Sequence, residues 1–203
     1  NMLILNLPVE KIGTEMHELL TMANRTTEDV FSLLDNLLKW TKSQIGNLNV
    51  VYQDIDAVEV MDSVIDVFNM IAGLKKITIR EEKPEKLPVC ADIDMLKTVI
   101  RNLLSNAIKF SNENSEVLVK MEEQGDMVVV SVKDNGCGID EEGQKKLLHT
   151  DTHFSTFGTN NEEGSGLGLL LCQDFVVKNG GKLWFTSKQG EGSTFYFSIP
   201  LKK

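Results

Sequence analysis

The chain is expected to fold as an α+β domain behind one long helix, and three observations carry that expectation. Residues 10–45 hold an apolar seam of helical period. From residue 50 onward, short alternating or apolar runs take turns with amphipathic stretches. Turns rich in Gly, Asn, Asp and Pro separate them. At 203 residues the chain can bury one good core plus a smaller element.

The seam comprises Met16, Leu19, Ala23, Thr26, Val30, Leu33, Leu37 and Trp40, spaced three and four residues apart in turn. Such heptad spacing keeps one stripe turned to a partner helix. Leu20, Thr27, Leu34 and Thr41 widen that stripe, which suits a bundle better than a two-stranded coil. Gly46-Asn47 can stop the helix, because both residues tolerate the left-handed conformation. Pro8 sets residues 2–7 apart as the tail of an earlier helix, so the start of the chain reads as a helical hairpin with a truncated first arm. Packing on the core of its own domain is the competing reading, disfavoured by the helix's length. The expected division is therefore 1–48, a partial hairpin, and 49–203, a mixed α/β domain, both part of a longer protein.

In the second part, residues 50–55 are expected as a strand, 58–72 as a helix and 77–80 as an alternating strand. Residues 83–88, with Pro84 and Pro88, read as a turn-rich connector. A helix over 92–109 follows, with Asp92 or Asp94 placed to cap its free N–H groups. Residues 116–122 and 127–132 pair about Gln124-Gly125-Asp126, 141–148 form a short helix, and 150–163 are polar without period. A helix over 166–178 and a hairpin of 182–186 with 193–199 close the chain. There is no internal repeat.

The charge balance, 30 acidic against 21 basic residues for a net −9, argues against nucleic acid as a partner. A nucleotide can still be held locally by backbone N–H groups, Mg²⁺ and one or two lysines. No apolar run approaches the roughly 18 residues that cross a bilayer, and no secretory leader is visible. Cys90, Cys137 and Cys172 have no metal-binding spacing and cannot all pair, which points to a reducing compartment.

Chemistry is concentrated in three stretches. Asp134-Asn135-Gly136-Cys137-Gly138-Ile139 and Gly164-Ser165-Gly166-Leu167-Gly168-Leu169 stand 30 residues apart. Ahead of them lies Asn102-Leu103-Leu104-Ser105-Asn106-Ala107-Ile108-Lys109. Alone each is a weak signal, since glycine doublets occur in many turns; in this order they describe a nucleotide pocket. Asn102, Asn106 and Lys109 recur at four and three residues and share a helix face. An amide oxygen there suits Mg²⁺, which keeps waters and phosphates as its other ligands. Asp134 ends an apolar strand, where a carboxylate can accept a hydrogen bond from a purine amino group. Gly136 and Gly138 let the chain bend beneath a base. Gly164, Gly166 and Gly168 run into a helix whose first N–H groups can meet phosphate. This is no Walker loop, because no lysine follows the last glycine, and no dinucleotide motif, because a polar loop precedes it. The bland readings are a solvated polar stripe for the asparagines and a turn-forming aspartate at Asp134. Co-occurrence of all three favours the pocket.

Order and spacing of these stretches, over about residues 14–200, resemble the ATP-binding domain of sensor histidine kinases, in the superfamily that also holds gyrase-type ATPases. The resemblance implies a two-layer α/β sandwich of the Bergerat type, a mixed sheet covered on one face by helices, with a lid over 150–164. It implies that Asn106 holds Mg²⁺ against the triphosphate and that Lys109 neutralises phosphate charge. Asp134 would read the adenine amino group, Thr194 would support the base through its hydroxyl, and Phe154 or Phe157 would match the family's phenylalanine box. The catalytic candidates are Asn102 and Lys109, and the metal candidate is Asn106. The ATP-binding candidates are these three with Asp134, Gly136, Gly138, Ile139, Gly164, Ser165, Gly166, Leu167, Gly168, Leu169 and Thr194. Hydrolytic members of the superfamily carry glutamate at the position of Asn102. An amide takes no proton at neutral pH, so slow hydrolysis and a retained γ-phosphate follow.

The implied activity is transfer of the ATP γ-phosphoryl group to a histidine, then to an aspartate of a response regulator receiver domain. A homodimer built on the hairpin is implied, on the cytoplasmic side of a bacterial sensor anchored to a membrane by domains outside this chain. His17 is followed by Glu18-Leu19 but lacks the arginine and proline of the family's phosphorylation box. His149 and His153 fall in the lid region, so the acceptor is expected upstream of Asn1. A hydrolytic ATPase that clamps as a dimer and a non-catalytic scaffold are the alternatives.

Overall fold

The computed structural model describes residues 49–147, 158–159 and 166–202, with Met16, Leu20, Thr27, Leu34, Leu37, Leu38 and Thr41 besides. Those seven residues are all helical, and all but the half-buried Leu20 are exposed. The Thr41 hydroxyl donates to the Leu37 carbonyl one turn back. The other seam residues, the hairpin's Pro8 and Gly46-Asn47 lie outside the described residues.

The described chain then runs β1 (Gln53–Asp56), α1 (Ala57–Leu74), β2 (Thr78–Glu82), β3 (Pro88–Ala91), α2 (Ile93–Phe110), β4 (Glu116–Gln124), β5 (Met127–Lys133), α3 (Glu141–Lys146), α4 (Gly168–Lys178), β6 (Leu183–Lys188) and β7 (Gly192–Pro200). Five strands form one sheet in the order β2-β4-β5-β7-β6, and β1 pairs with β3 separately. Only β2 and β4 run parallel, joined across α2; every other pairing is antiparallel.

Alternation along the central strands decides which side is covered. Val128, Val130 and Val132 of β5 face the same way as Val117, Val119 and Met121 of β4 and Phe195, Phe197 and Ile199 of β7. Against this layer lie Met61, Ile65 and Phe68 of α1, Val99, Leu103 and Leu104 of α2, and Leu171, Phe175 and Val176 of α4, all in one core. Each fully buried aliphatic or Phe side chain contributes roughly 1.5–3 kcal/mol relative to exposure. The opposite face carries Lys120, Ser131, Trp184 and Tyr196, the last two stacked with ring centroids 5.3 Å apart. The two-layer sandwich with a mixed sheet is as expected. A register slip of one residue would turn every valine of β5 to solvent.

Boundaries differ where backbone partners override the pattern. Val51 does not begin a strand: its N–H donates to Asp92 Oδ2 at 2.9 Å. The expected connector ends in strand β3, opened by Pro88, whose missing N–H is tolerated at the first position of a strand. Helix α4 starts at Gly168, since Gly166 has φ +69° and a right-handed helix cannot include it. No described helix is long and apolar enough to cross a membrane.

Helix α2 is the best-anchored element. Asp92 Oδ1 accepts from the N–H groups of Asp94 and Met95, both at 3.0 Å, closing the first turn as a cap should. The main-chain N–H of Asp92 donates to Asn179 Oδ1 at 2.8 Å, and Asn179 Nδ2 donates to Phe175 O, so the start of α2 is tied to the end of α4. Replacing Asp92 by Ala is expected to destabilise the fold by about 1–2 kcal/mol in urea unfolding, the range for a lost cap. An unchanged midpoint would show that Asp92 anchors nothing.

Candidate nucleotide site

Asp134 follows β5 directly, where the strand leaves the sheet beside the first residues of β7. Its backbone N–H continues the ladder to Ser193 O at 2.9 Å. The carboxylate turns back: Oδ1 accepts from the N–H groups of Gly136 at 2.9 Å and Ser193 at 3.2 Å. Both of these bonds go to Oδ1, and no other residue among those described donates to Oδ2. The residue is only 3% exposed. Burial raises its pKa above the ordinary 3.8, and the N–H groups of Gly136 and Ser193 work against that rise. The result is a fixed, desolvated carboxylate, suited to accepting from a neutral N–H donor.

The loop after Asp134 is stitched to two other elements. A Cβ on Gly136 would stand 2.1 Å from Phe110 O, so only glycine lets the loop cross the end of α2. On the other side, Gly190 N donates to Cys137 O at 2.7 Å and Ile139 N donates to Ser187 Oγ at 2.9 Å, binding the loop to the β6–β7 turn. Ile139 packs against the core and Gly138 has φ +64°.

On α2 itself, Asn102, Asn106 and Lys109 are half-buried. Asn102 Nδ2 donates to Thr98 O at 2.9 Å, which fixes the amide along the helix. A Cβ on Gly168 would come within 2.7 Å of Asn102 Oδ1, so the start of α4 rests on that amide. Asn106 makes no hydrogen bond among the described residues. Lys109 Nζ lies over the Phe110 ring, 4.9 Å from its centroid. From Asn102 to Phe110 is eight residues, about 12 Å of helix. Gly168 meets one end of that span and the Gly136 loop the other. Helix α2 is thus the element on which the three stretches converge.

Leu167 is buried ahead of α4, and Leu169 is half-buried against the core; both support the helix from within. Gly164 and Ser165 lie outside the described residues, as do Phe154, Phe157, His17, His149, His153 and most of the expected lid. No cluster of His, Cys, Asp or Glu among the described residues can hold a metal ion. Any ion here would depend on an amide and on the ligand's own oxygens.

One expected residue is displaced. Thr194 pairs with Lys133 and Thr186 on the sheet's open face, away from the carboxylate. Strand period puts its neighbour Ser193 on the covered face instead, 7% exposed, with its hydroxyl 2.9 Å from Ser187 Oγ. The signal was available: with Phe195, Phe197 and Ile199 inward, residue 193 is inward too, and 194 is not.

Residues 91–203 match the family described as histidine kinase-, DNA gyrase B- and HSP90-like ATPase. The chain is similar to the adaptive-response sensory kinase SasA of Rippkaea orientalis, 32% identical over 83% of this chain and 43% of that protein. It is 30% identical to the sensor histidine kinase WalK of Bacillus subtilis, over 91% of this chain and 30% of that one. The chain therefore spans half or less of these curated relatives. Among solved structures, the catalytic domain of the histidine kinase ThkA superposes with a TM-score of 0.65 at 31% identity, covering 74% of this chain and 96% of that one. Full-length ShkA, solved with AMPPNP, has the same fold with a TM-score of 0.75 at 21% identity, over 95% of this chain and 40% of that one.

The raised Asp134 pKa has a consequence for stability. The folded state holds this proton more tightly than the unfolded one. Folding stability from this group therefore falls as pH rises from about the ordinary 3.8 through the raised value, and is level above it. Asp134→Asn keeps an Oδ1 acceptor and removes the charge. Its stability relative to the native chain is expected to rise with pH across that range and then plateau, with no net loss at pH 7. A difference that does not vary with pH would reject the desolvated carboxylate.

Proposed function

This chain belongs to the family of histidine kinase-, DNA gyrase B- and HSP90-like ATPases, and we propose that it is the ATP-binding catalytic part of a sensor histidine kinase. In this reading residues 49–203 bind ATP, and 1–48 supply part of a helical hairpin through which the whole protein dimerises. The γ-phosphoryl group passes to a histidine outside this chain and then to a response regulator aspartate. The whole protein would act on the cytoplasmic face of a membrane to which other domains anchor it.

The observation that carries this is the Asp134 carboxylate, held by Gly136 and Ser193 with Oδ2 unused, beside the helix that presents Asn102, Asn106 and Lys109. Oδ2 accepts from the exocyclic amino group of adenine, and the sheet-end residue supporting the base is Ser193 in place of Thr194. The bond is charge-assisted, and burial keeps water from competing for it. Asn106, without a protein partner among the described residues, fits Mg²⁺ as one neutral oxygen ligand. When bound, the ion would neutralise phosphate charge. Lys109, one turn on, offers a cation to the same end. Gly166, Leu167 and Gly168 bring the first N–H groups of α4 towards the phosphates.

Asn102 favours transfer over hydrolysis. Its amide donates to Thr98 O and abuts Gly168, so it orients the wall of the pocket and takes no proton from water. Catalysis then consists of positioning and charge neutralisation, which is usual for phosphoryl transfer.

Titration calorimetry with Mg-AMPPNP tests the reading. Asp134→Ala is expected to lose about 1.5–3 kcal/mol of binding free energy, or about 10- to 150-fold in affinity. Asn106→Ala should abolish the benefit of Mg²⁺ while leaving adenosine binding intact. Native affinity in Asp134→Ala would overturn the base contact, and rapid sustained phosphate release by the native chain would favour a hydrolase.

A further inference from the structure

The lysine that ends α1 has a role the site does not yet explain. Lys75 closes that helix with its main-chain N–H on Ala72 O at 3.0 Å, and Lys76, at φ +55°, turns the chain into β2. Its side chain runs inward. The residue is 7% exposed, and Nζ donates to Ile108 O at 3.0 Å and Lys109 O at 2.9 Å. A third bond goes to the Thr159 hydroxyl. Ile108 and Lys109 are in the last turn of α2, where carbonyls have no partner within the helix. A cation is favourable there, because the helix dipole leaves negative charge at that end.

Thr159 joins the same cluster from a distant part of the chain. Its N–H donates to Lys109 O at 3.2 Å, and its hydroxyl donates to Ser111 O at 2.8 Å while accepting from Lys75. Thr159 stands in the connection between α3 and α4. One ammonium group thus binds the end of α1, the last turn of α2 and the connection between α3 and α4. Taking a lysine out of water is costly, and an apolar side chain would fill the same space without that cost. What only the ammonium supplies is a set of directed bonds to the turn that carries Lys109, one turn beyond Asn106.

We propose that Lys75 is a positioning residue for phosphate binding, holding the last turn of α2 and Thr159 so that Asn106 and Lys109 meet the triphosphate. It rests on the nucleotide reading above. The base end of the pocket is held by other bonds: Asp134 Oδ1 accepts from the N–H groups of Gly136 and Ser193, and neither is bonded to Lys75. Loss of the lysine therefore divides the two ends, which a general loss of stability would not do.

The experiment compares binding of Mg-AMPPNP, by calorimetry, with binding of adenosine, by ligand-detected NMR, in the full chain. Lys75→Met should weaken Mg-AMPPNP about tenfold or more and leave adenosine unchanged. Lys75→Arg should restore part of the loss, and Thr159→Val should weaken Mg-AMPPNP severalfold. Equal weakening of both ligands, or of neither, overturns the inference. If Lys75→Met fails to fold, Thr159→Val decides: an unaltered ratio of the two affinities overturns it. A native chain that binds neither ligand overturns the functional reading and this inference together. A native chain that binds both, with variants that keep the ratio, overturns this inference alone.

Discussion

The structure depends on one helix held firmly at both ends. At its start, Asp92 caps α2 and is bonded to Val51 and, through its backbone, to Asn179. At its finish, the Lys75 ammonium donates to the Ile108 and Lys109 carbonyls, and the Thr159 N–H donates to the second of them. Between these anchors Leu103, Leu104, Ala107 and Ile108 are buried against the core, which sets the helix's rotation. That rotation turns Asn102, Asn106 and Lys109 outward together. Their placement costs no further specification once the apolar side is packed.

The pocket is a compromise between stability and recognition. A buried carboxylate works against folding, and the N–H groups of Gly136, Ser193 and Asp134 itself offset part of that cost. Glycines do structural duty at the same place: Gly136 passes the end of α2 and Gly168 passes Asn102, with no room for a Cβ at either. The glycine pattern is therefore explained in part by chain crossing, not by phosphate contact alone. With a net charge of −9, any anion the chain receives in the proposed reading must be met by local dipoles and nearby cations such as Lys109.

Much of this was legible in the residues, and the reasons for the rest are physical. The helices α1 and α2 and the β4–β5 hairpin declare themselves through period and caps, with Asp92 as a clear start signal. Strand β3 is not legible because it is four residues long, opens with proline and is defined by β1, a partner far away in sequence. Thr194 shows where motif and strand parity part: with Phe195, Phe197 and Ile199 inward, the inward position belongs to the neighbouring Ser193. Lys75 was invisible. It sits at a helix end beside Lys76, and nothing local says that its side chain crosses to another helix.

The pairing of β5 with β7 has a kinetic meaning. Asp134 and Ser193 are 59 residues apart, and their contact exists only when the central strands have found each other. Long-range strand pairing is slow relative to local helix formation, because a large loop must close before the contact rewards it. The Asp134–Ser193 contact is therefore expected among the last features to form. A ligand that required this contact would act as a latch on the completed fold, drawing the population away from incomplete species by mass action.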